Sequence, residues 1–331
     1  MAATGFRRQG GEEAAHTGLK GSDAAERTIL DDFRPISHHI PHSREPIEAP
    51  QHLICVDDLI VASEALAAGM VTRQTLRTRY IKVHYNVYAR KGLELNAVDR
   101  ARAAWLWSRR TATLVGHSAA AMHGTQWLPD DAPAEIAYAR QPAPPGILIH
   151  RGTIADDEIC LRQSIFCTTT ARTVYDIGRR MSGDTAIVRI DALLNATRCT
   201  VEEVERIADR YRGARGMRSL RKALDLADGG AESPKETELR LLLVRDGLPR
   251  PVTQIRVGRR RVDMGWPEWK VGVEYDGEQH WTNPGQHADD IERLEYLAAQ
   301  RWIIVRVSAR QLRYDRVGIL RRVRGPLAQY L

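Results

Sequence analysis

At 331 residues the chain has room for two or three domains, and 49 Lys and Arg against 42 Asp and Glu give it a formal charge of +7 and a pI near 9.4. That surplus favours polyanionic partners, nucleic acid or acidic lipid. No apolar run approaches bilayer-spanning length, which argues against a helical membrane anchor.

The first 50 residues read as a disordered extension or an overlong start. MAATGFRRQGGEEAAHTGLKGSD mixes charge with glycine and lacks the apolar core of a signal peptide, so a cytoplasmic location is expected. Pro35, Pro41, Pro46 and Pro50 break any regular element after it.

Residues 51–125 read as a DNA-binding domain. Ser63 is placed to cap a short helix, EALAA, which Gly69 stops. Thr72 caps a second one, RQTLRTR, giving a helix-turn-helix pattern. YIKVHYNVYAR then alternates as two strands around Tyr85–Asn86, as a wing would. Six basic residues and no acid lie between Val71 and Lys91. Arg73, Gln74, Arg77 and Thr78 on the second helix, with Lys82 on the wing, are candidate DNA contacts, while Leu76 packs inward. A plain helical hairpin with a solvated basic face explains the pattern equally well.

A helical stretch is expected over residues 96–123, with Trp105 and Trp107 in a core. His117 and His123 flank Ser118, but no neighbouring carboxylate in the sequence orients either ring, and both are read as structural. Residues 126–232 read as a mixed middle domain, with short strands between Pro133 and Thr169 and helices from Ala171 to Ala227, one capped by Thr200. Cys55, Cys160, Cys167 and Cys199 form no zinc-ligand spacing and read as buried thiols.

From Ser233 onward, Ser233, Pro234 and Glu236 open a helix as N-cap, first helical residue and box partner. VTQIRV and RRVDMGW form a hairpin about Gly258–Arg259, and Pro267–Glu268 turns the chain into WKVGVEYDG. A helix over residues 288–299 and the apolar strand WIIVRVS follow. Glu274 and Asp276, two apart on a strand, share a face and repel unless something cationic lies between them. Asp263 on the preceding strand can join them. Arg259, Arg260 and Arg261 offer neutralisation without a metal, and Asp290 with Arg293 forms an i, i+3 pair. Eight arginines follow Tyr296 against one acid, Asp315, a basic edge suited to a phosphate backbone.

SPKE, RVDMGWPEWKVGVEYDGEQHW, DDIERL and RWIIVRVS together resemble the PD-(D/E)xK nuclease fold, and in particular families allied to the very-short-patch mismatch-repair endonuclease, over roughly residues 233–324. The upstream helix-turn-helix, GHSAAAMHG and TTTARTVYDI resemble AbiEi-type antitoxins more weakly. The implied architecture is an α+β multidomain chain: a winged helix-turn-helix, a mixed α/β middle domain, and a restriction-endonuclease-like α/β domain over residues 233–331. The first resemblance implies Mg²⁺- or Mn²⁺-dependent DNA cleavage, in phage defence or DNA repair. Asp263, Glu274 and the Tyr275 carbonyl would be metal ligands, and Glu236 would act through water. Asp276 stands where the superfamily has lysine, leaving His280 as proton donor or phosphate contact and Gln279 to orient water. The second resemblance implies a repressor with an inactive nuclease fold, or a partner for a toxin or other defence protein. DNA is the partner common to the enzyme and repressor readings, and the oligomeric state stays open.

Overall fold

The computed structural model describes Cys55, Val56 and residues 58–139, 142–277 and 284–330. The expected N-terminal extension, Gln279 and His280 lie outside them.

The chain opens with β1 (Cys55–Val56), β2 (Leu59–Val61), α1 (Ala62–Ala67), α2 (Arg73–Arg79), β3 (Tyr80–His84) and β4 (Val87–Arg90), the strands ordered β1-β2-β4-β3. Gly69, at φ +66°, supplies the left-handed residue beyond α1. Thr72 caps α2 by accepting the Thr75 N–H at 3.0 Å. The cap expected at Ser63 is corrected: Val61 precedes α1, and Ser63 lies in its first turn. There it serves the hairpin. Asn86, at φ +63°, accepts the Ser63 N–H at 3.0 Å and donates to its hydroxyl at 2.8 Å, tying the β3–β4 turn to α1. Ile60, Ala65 and Val71 are buried beneath, with Leu76 packed inward against them as its spacing predicts.

Next come α3 (Ala97–Trp107), β5 (Thr113–Leu114) and α4 (Gly116–Met122), so the expected continuous helix is interrupted. Arg109 and Arg110 take positive φ, and the chain then extends to join a sheet. That sheet is completed by β6 (Ala134–Ala137), β7 (Ile147–His150), β8 (Ile159–Arg162) and β9 (Ile165–Thr168), in the order β7-β6-β5-β9-β8. One apolar cluster runs from Leu59 through Trp105 and Leu114 to Cys167, so the first two sheets share a core. Four helices follow: α5 (Thr170–Arg180), α6 (Gly183–Ala196), α7 (Val201–Arg210) and α8 (Met217–Leu226). Thr200 caps α7 through a reciprocal box with Glu203.

The last part is α9 (Pro234–Arg245), β10 (Val252–Val257), β11 (Arg260–Trp266), β12 (Val271–Asp276), α10 (Pro284–Ala299), β13 (Ile303–Ser308), α11 (Ala309–Tyr314) and α12 (Arg316–Leu327). The sheet order is β10-β11-β12-β13. The first three strands form a meander, whereas β13 runs parallel to β12, and α10 makes the crossover a parallel pair requires. One face packs on α9, α11 and α12 through Leu239, Leu243, Leu312 and Ile319; the other packs on α10 through Tyr296 and Leu297.

α9 serves two cores. Leu239 and Leu243 belong to the C-terminal cluster, while Leu241 belongs to the helical cluster upstream. Between them, Arg240 (0 % exposed) donates to Asp191 of α6 at 2.7 Å and Thr237 to the same oxygen at 2.9 Å. No described helix is long and apolar enough to cross a membrane.

Candidate functional site

The three-stranded meander forks at the predicted acids. β11 and β12 are paired at Trp266↔Val271, Gly265↔Gly272 and Met264↔Val273, and no further. Val262 packs toward α10, whereas Met264 and Trp266 pack on the opposite face, so β11 turns over at Asp263. The next N–H of β12, that of Tyr275, donates to the Asp263 carboxylate at 2.9 Å instead of to a strand carbonyl.

Asp263 is strongly perturbed. Burial, then the charge of Glu236, push its carboxyl up to about 7; Glu274 adds to this, while the Tyr275 N–H and Arg293 oppose it. Glu236 sits at the start of α9, where the Ser233 hydroxyl donates to it at 2.9 Å and the Glu232 N–H at 2.8 Å. The expected box is thus shifted by one residue, since Glu236 reaches past the cap backbone to Glu232. Burial raises the Glu236 carboxyl as well, against those hydrogen bonds.

Glu274, only 4 % exposed, is gripped by Arg293 of α10, which donates to both carboxylate oxygens, one at 2.9 Å. Arg293 also holds Asp290 at 2.8 Å, Asp290 holds Arg306 at 2.7 Å, and Arg306 donates to Asp276 at 2.8 Å. The second oxygen of Asp276, Oδ1, is buried and has no hydrogen-bond partner among the described residues. The neutralising arginines therefore come from α10 and β13. The adjacent trio points elsewhere: Arg260 to Glu292 at 3.8 Å, Arg261 to Glu232 at 2.7 Å, and Arg259 onto the Tyr296 ring. The Asp290–Arg293 pair forms as its spacing predicts, and Arg293 is in addition a site residue. Asp263, Glu274 and Asp276 do not gather into a tight three-ligand group. Among the described residues the group with donor atoms within 4.8 Å of one another is His123, Cys160 and Cys167.

The candidate DNA contacts lie on one small module. Arg73, Gln74, Arg77, Thr78 and Lys82 are all exposed on its surface. Lys91 fastens the β3–β4 hairpin to α2 by donating to the Arg77 carbonyl at 3.1 Å, and the Lys82 ammonium lies 5.7 Å from the Tyr85 ring centre. The Thr78 hydroxyl is spent on the Gln74 carbonyl at 3.0 Å. Of the C-terminal arginines, Arg306, Arg316 and Arg324 are held by Asp276, Glu238 and Asp246 respectively.

Sequence reasoning missed two clusters. Glu135 lies between two imidazoles, His117 Nδ1 at 3.0 Å and His150 Nε2 at 2.6 Å, and accepts the His117 N–H as well. Burial pushes its carboxyl up, but those bonds outweigh it and hold the group well below the usual carboxylate range. The absence of an orienting carboxylate for His117 is thereby corrected; its partner lies a strand away. Gly116, at φ +50°, leaves room for that carboxylate, since a Cβ there would lie 2.3 Å from Glu135 Oε2. The second cluster is His123 with the thiols of Cys160 and Cys167. Cys160↔Cys167 is a cross-strand pair of β8 and β9, a relation that chain spacing does not show.

No family profile matches the chain. It resembles two uncharacterised proteins of Mycobacterium tuberculosis, one from strain CDC 1551 and one from strain H37Rv, each 31 % identical over 153 residues, 45 % of this chain and 56 % of the relative. The chain thus spans little more than half the length of these relatives. No solved structure matches.

Proposed function

We propose that this protein binds duplex DNA through α2 and the β3–β4 wing and cleaves a phosphodiester bond at the β11–β12 fork with the aid of Mg²⁺ or Mn²⁺. The observation that carries the reading is Asp263: a partly buried carboxyl pushed up to about 7 by desolvation and neighbouring acids where two strands part. Such a group is poised for a cation, because the charge that destabilises it is the charge a divalent ion relieves.

The donor set suits a hard cation, which takes carboxylate oxygens, and Asp276 Oδ1 in the same region has no partner among the described residues. Asp263 and Glu274 would hold the ion, with the Tyr275 carbonyl beside them, and the ion would polarise the phosphate and acidify the attacking water. Glu236 raises the affinity of the pocket for positive charge. Arg293 orients Glu274 until the ion competes for it. Arg306, held by Asp276 and Asp290, supplies the positive charge at the position family resemblance assigns to lysine.

A second reading rests on a specific observation: both Glu274 oxygens are already engaged by Arg293. On that reading the fold only binds, and the chain is an AbiEi-like repressor or a defence-system partner.

A plasmid-nicking assay on the full chain, with Mg²⁺ or Mn²⁺ and with EDTA, separates them. Nicking that needs the metal and falls by about 10³-fold or more in Asp263→Ala, with DNA binding retained, is expected, since the cation's contribution amounts to several kcal/mol. Metal-independent binding with no nicking establishes the repressor instead.

A further inference from the structure

We propose that His123, Cys160 and Cys167 form a site for a soft divalent cation of the Zn²⁺ class, which pins the end of α4 to the β8–β9 hairpin. The site is separate from the acidic fork and takes different chemistry, thiolate and imidazole in place of carboxylate.

Three geometric facts converge. The two sulfurs face each other across paired strands at 3.7 Å. A tetrahedral cation bonded to two thiolates at about 2.3 Å each sets them about 3.8 Å apart, so the hairpin already holds the span such an ion needs. The imidazole keeps one nitrogen unprotonated for a cation. Its Nε2 lies 2.8 Å from the Thr168 carbonyl, which can only accept, so Nε2 carries the proton and Nδ1 presents its lone pair. A ligating histidine whose other N–H is fixed by a backbone carbonyl is the usual supporting arrangement. Finally, donor atoms of all three residues fall within 4.8 Å of one another.

At present Nδ1 accepts from Arg162 Nε at 3.3 Å, and the Thr170 hydroxyl lies 3.5 Å away. Arg162 is exposed, so its guanidinium can swing into solvent when an ion takes its place. Cys167 is fully buried and His123 is 8 % exposed, which gives the ion a mostly dry seat. Three protein ligands leave one position for water.

The test is Co²⁺ titration of the reduced full-length chain, with Zn²⁺ competition. One equivalent with a thiolate-to-cobalt charge-transfer band and intense tetrahedral d–d bands is expected, displaced by Zn²⁺. Cys160→Ala or His123→Gln should weaken binding by more than the roughly 10–100-fold that loss of an outer partner costs. Cys55→Ser and Cys199→Ser should leave it intact, and Arg162→Ala should bind at least as tightly. Because Cys160→Ala could fail to fold, a second measurement uses the parent protein: Zn²⁺ should protect Cys160 from alkylation by iodoacetamide. No thiolate band, a band that survives in Cys160→Ala, weaker binding by Arg162→Ala, or undiminished alkylation under saturating Zn²⁺ would each overturn the assignment.

Discussion

Two of the regions that hold carboxylates away from water treat them in opposite ways. Around Arg172 every acid is matched: Asp176, 1 % exposed, meets Arg172 at 3.0 Å, Arg179 at 3.0 Å and Arg180 at 3.2 Å. Glu158, wholly buried, meets Arg172, Arg210 at 2.7 Å and the Tyr211 hydroxyl at 3.1 Å. At the β11–β12 fork, by contrast, Asp263 has the Tyr275 N–H as its hydrogen-bond donor and two acids in its field. The first network is closed and architectural. The second leaves Asp263 among like charges, the imbalance on which the proposed cation site rests.

The comparison is most exposed at Asp176. Asp176→Ala strands three guanidinium groups in and around a core and should cost about 3–5 kcal/mol, read as a lowered urea midpoint. A loss below about 1 kcal/mol would mean that the network is not the closed structure described. Arg293→Ala comes next. It leaves the buried Glu274 carboxylate without its donors, a loss of about 1–3 kcal/mol that millimolar Mg²⁺ should partly restore.

Asp263→Asn should behave in the opposite sense. The folded-state pKa of Asp263 is raised to about 7, so between about pH 4 and pH 7 the folded protein binds more protons than the unfolded chain. Stability therefore falls as pH rises through that window, by up to about 1.4 kcal/mol per unit, and is fully present only below it. Asn removes the slope; denaturation midpoints from pH 4 to 8 check it, and an unchanged slope would place the titration elsewhere. Mg²⁺ should flatten the parent's curve in the same way.

The smallest effect concerns the basic face of α2. Removing Arg73 or Arg77 should lower duplex affinity and reduce the slope of log K against log salt by about one for each phosphate left without its arginine. A slope unchanged in the double variant would assign the basic face to solvent.

Much of the C-terminal fold was legible because its signals are local. Ser233 and Pro234 start a helix, Gly258 turns a hairpin at φ +57°, and an apolar run after an amphipathic helix makes a strand. The candidate acids were legible from period-two spacing. Their partners were not, since Arg293 lies 19 residues from Glu274 and Arg306 lies 30 from Asp276, distances set by a crossover that no periodicity encodes. The same holds for Glu135, whose imidazoles come from α4 and β7. At Ser63 the capping rule suits the residue type and fails on position, because Asn86 on the hairpin claims that side chain.

The double allegiance of α9 bears on how this gene can be divided. A fragment beginning at Ser233 would carry Leu241 and the wholly buried Arg240 out of their packing against α6 and into water, while Asp191 in the other piece would lose both of its side-chain donors from α9. Burial raises the Asp191 carboxyl even with Arg240 beside it, so without that cation it would drift toward the neutral form. The sequence boundary before Ser233 is therefore a poor place for a truncation. A fragment meant to test the acidic fork in isolation needs α6 as its chaperoning surface, or polar replacements at Arg240 and Leu241.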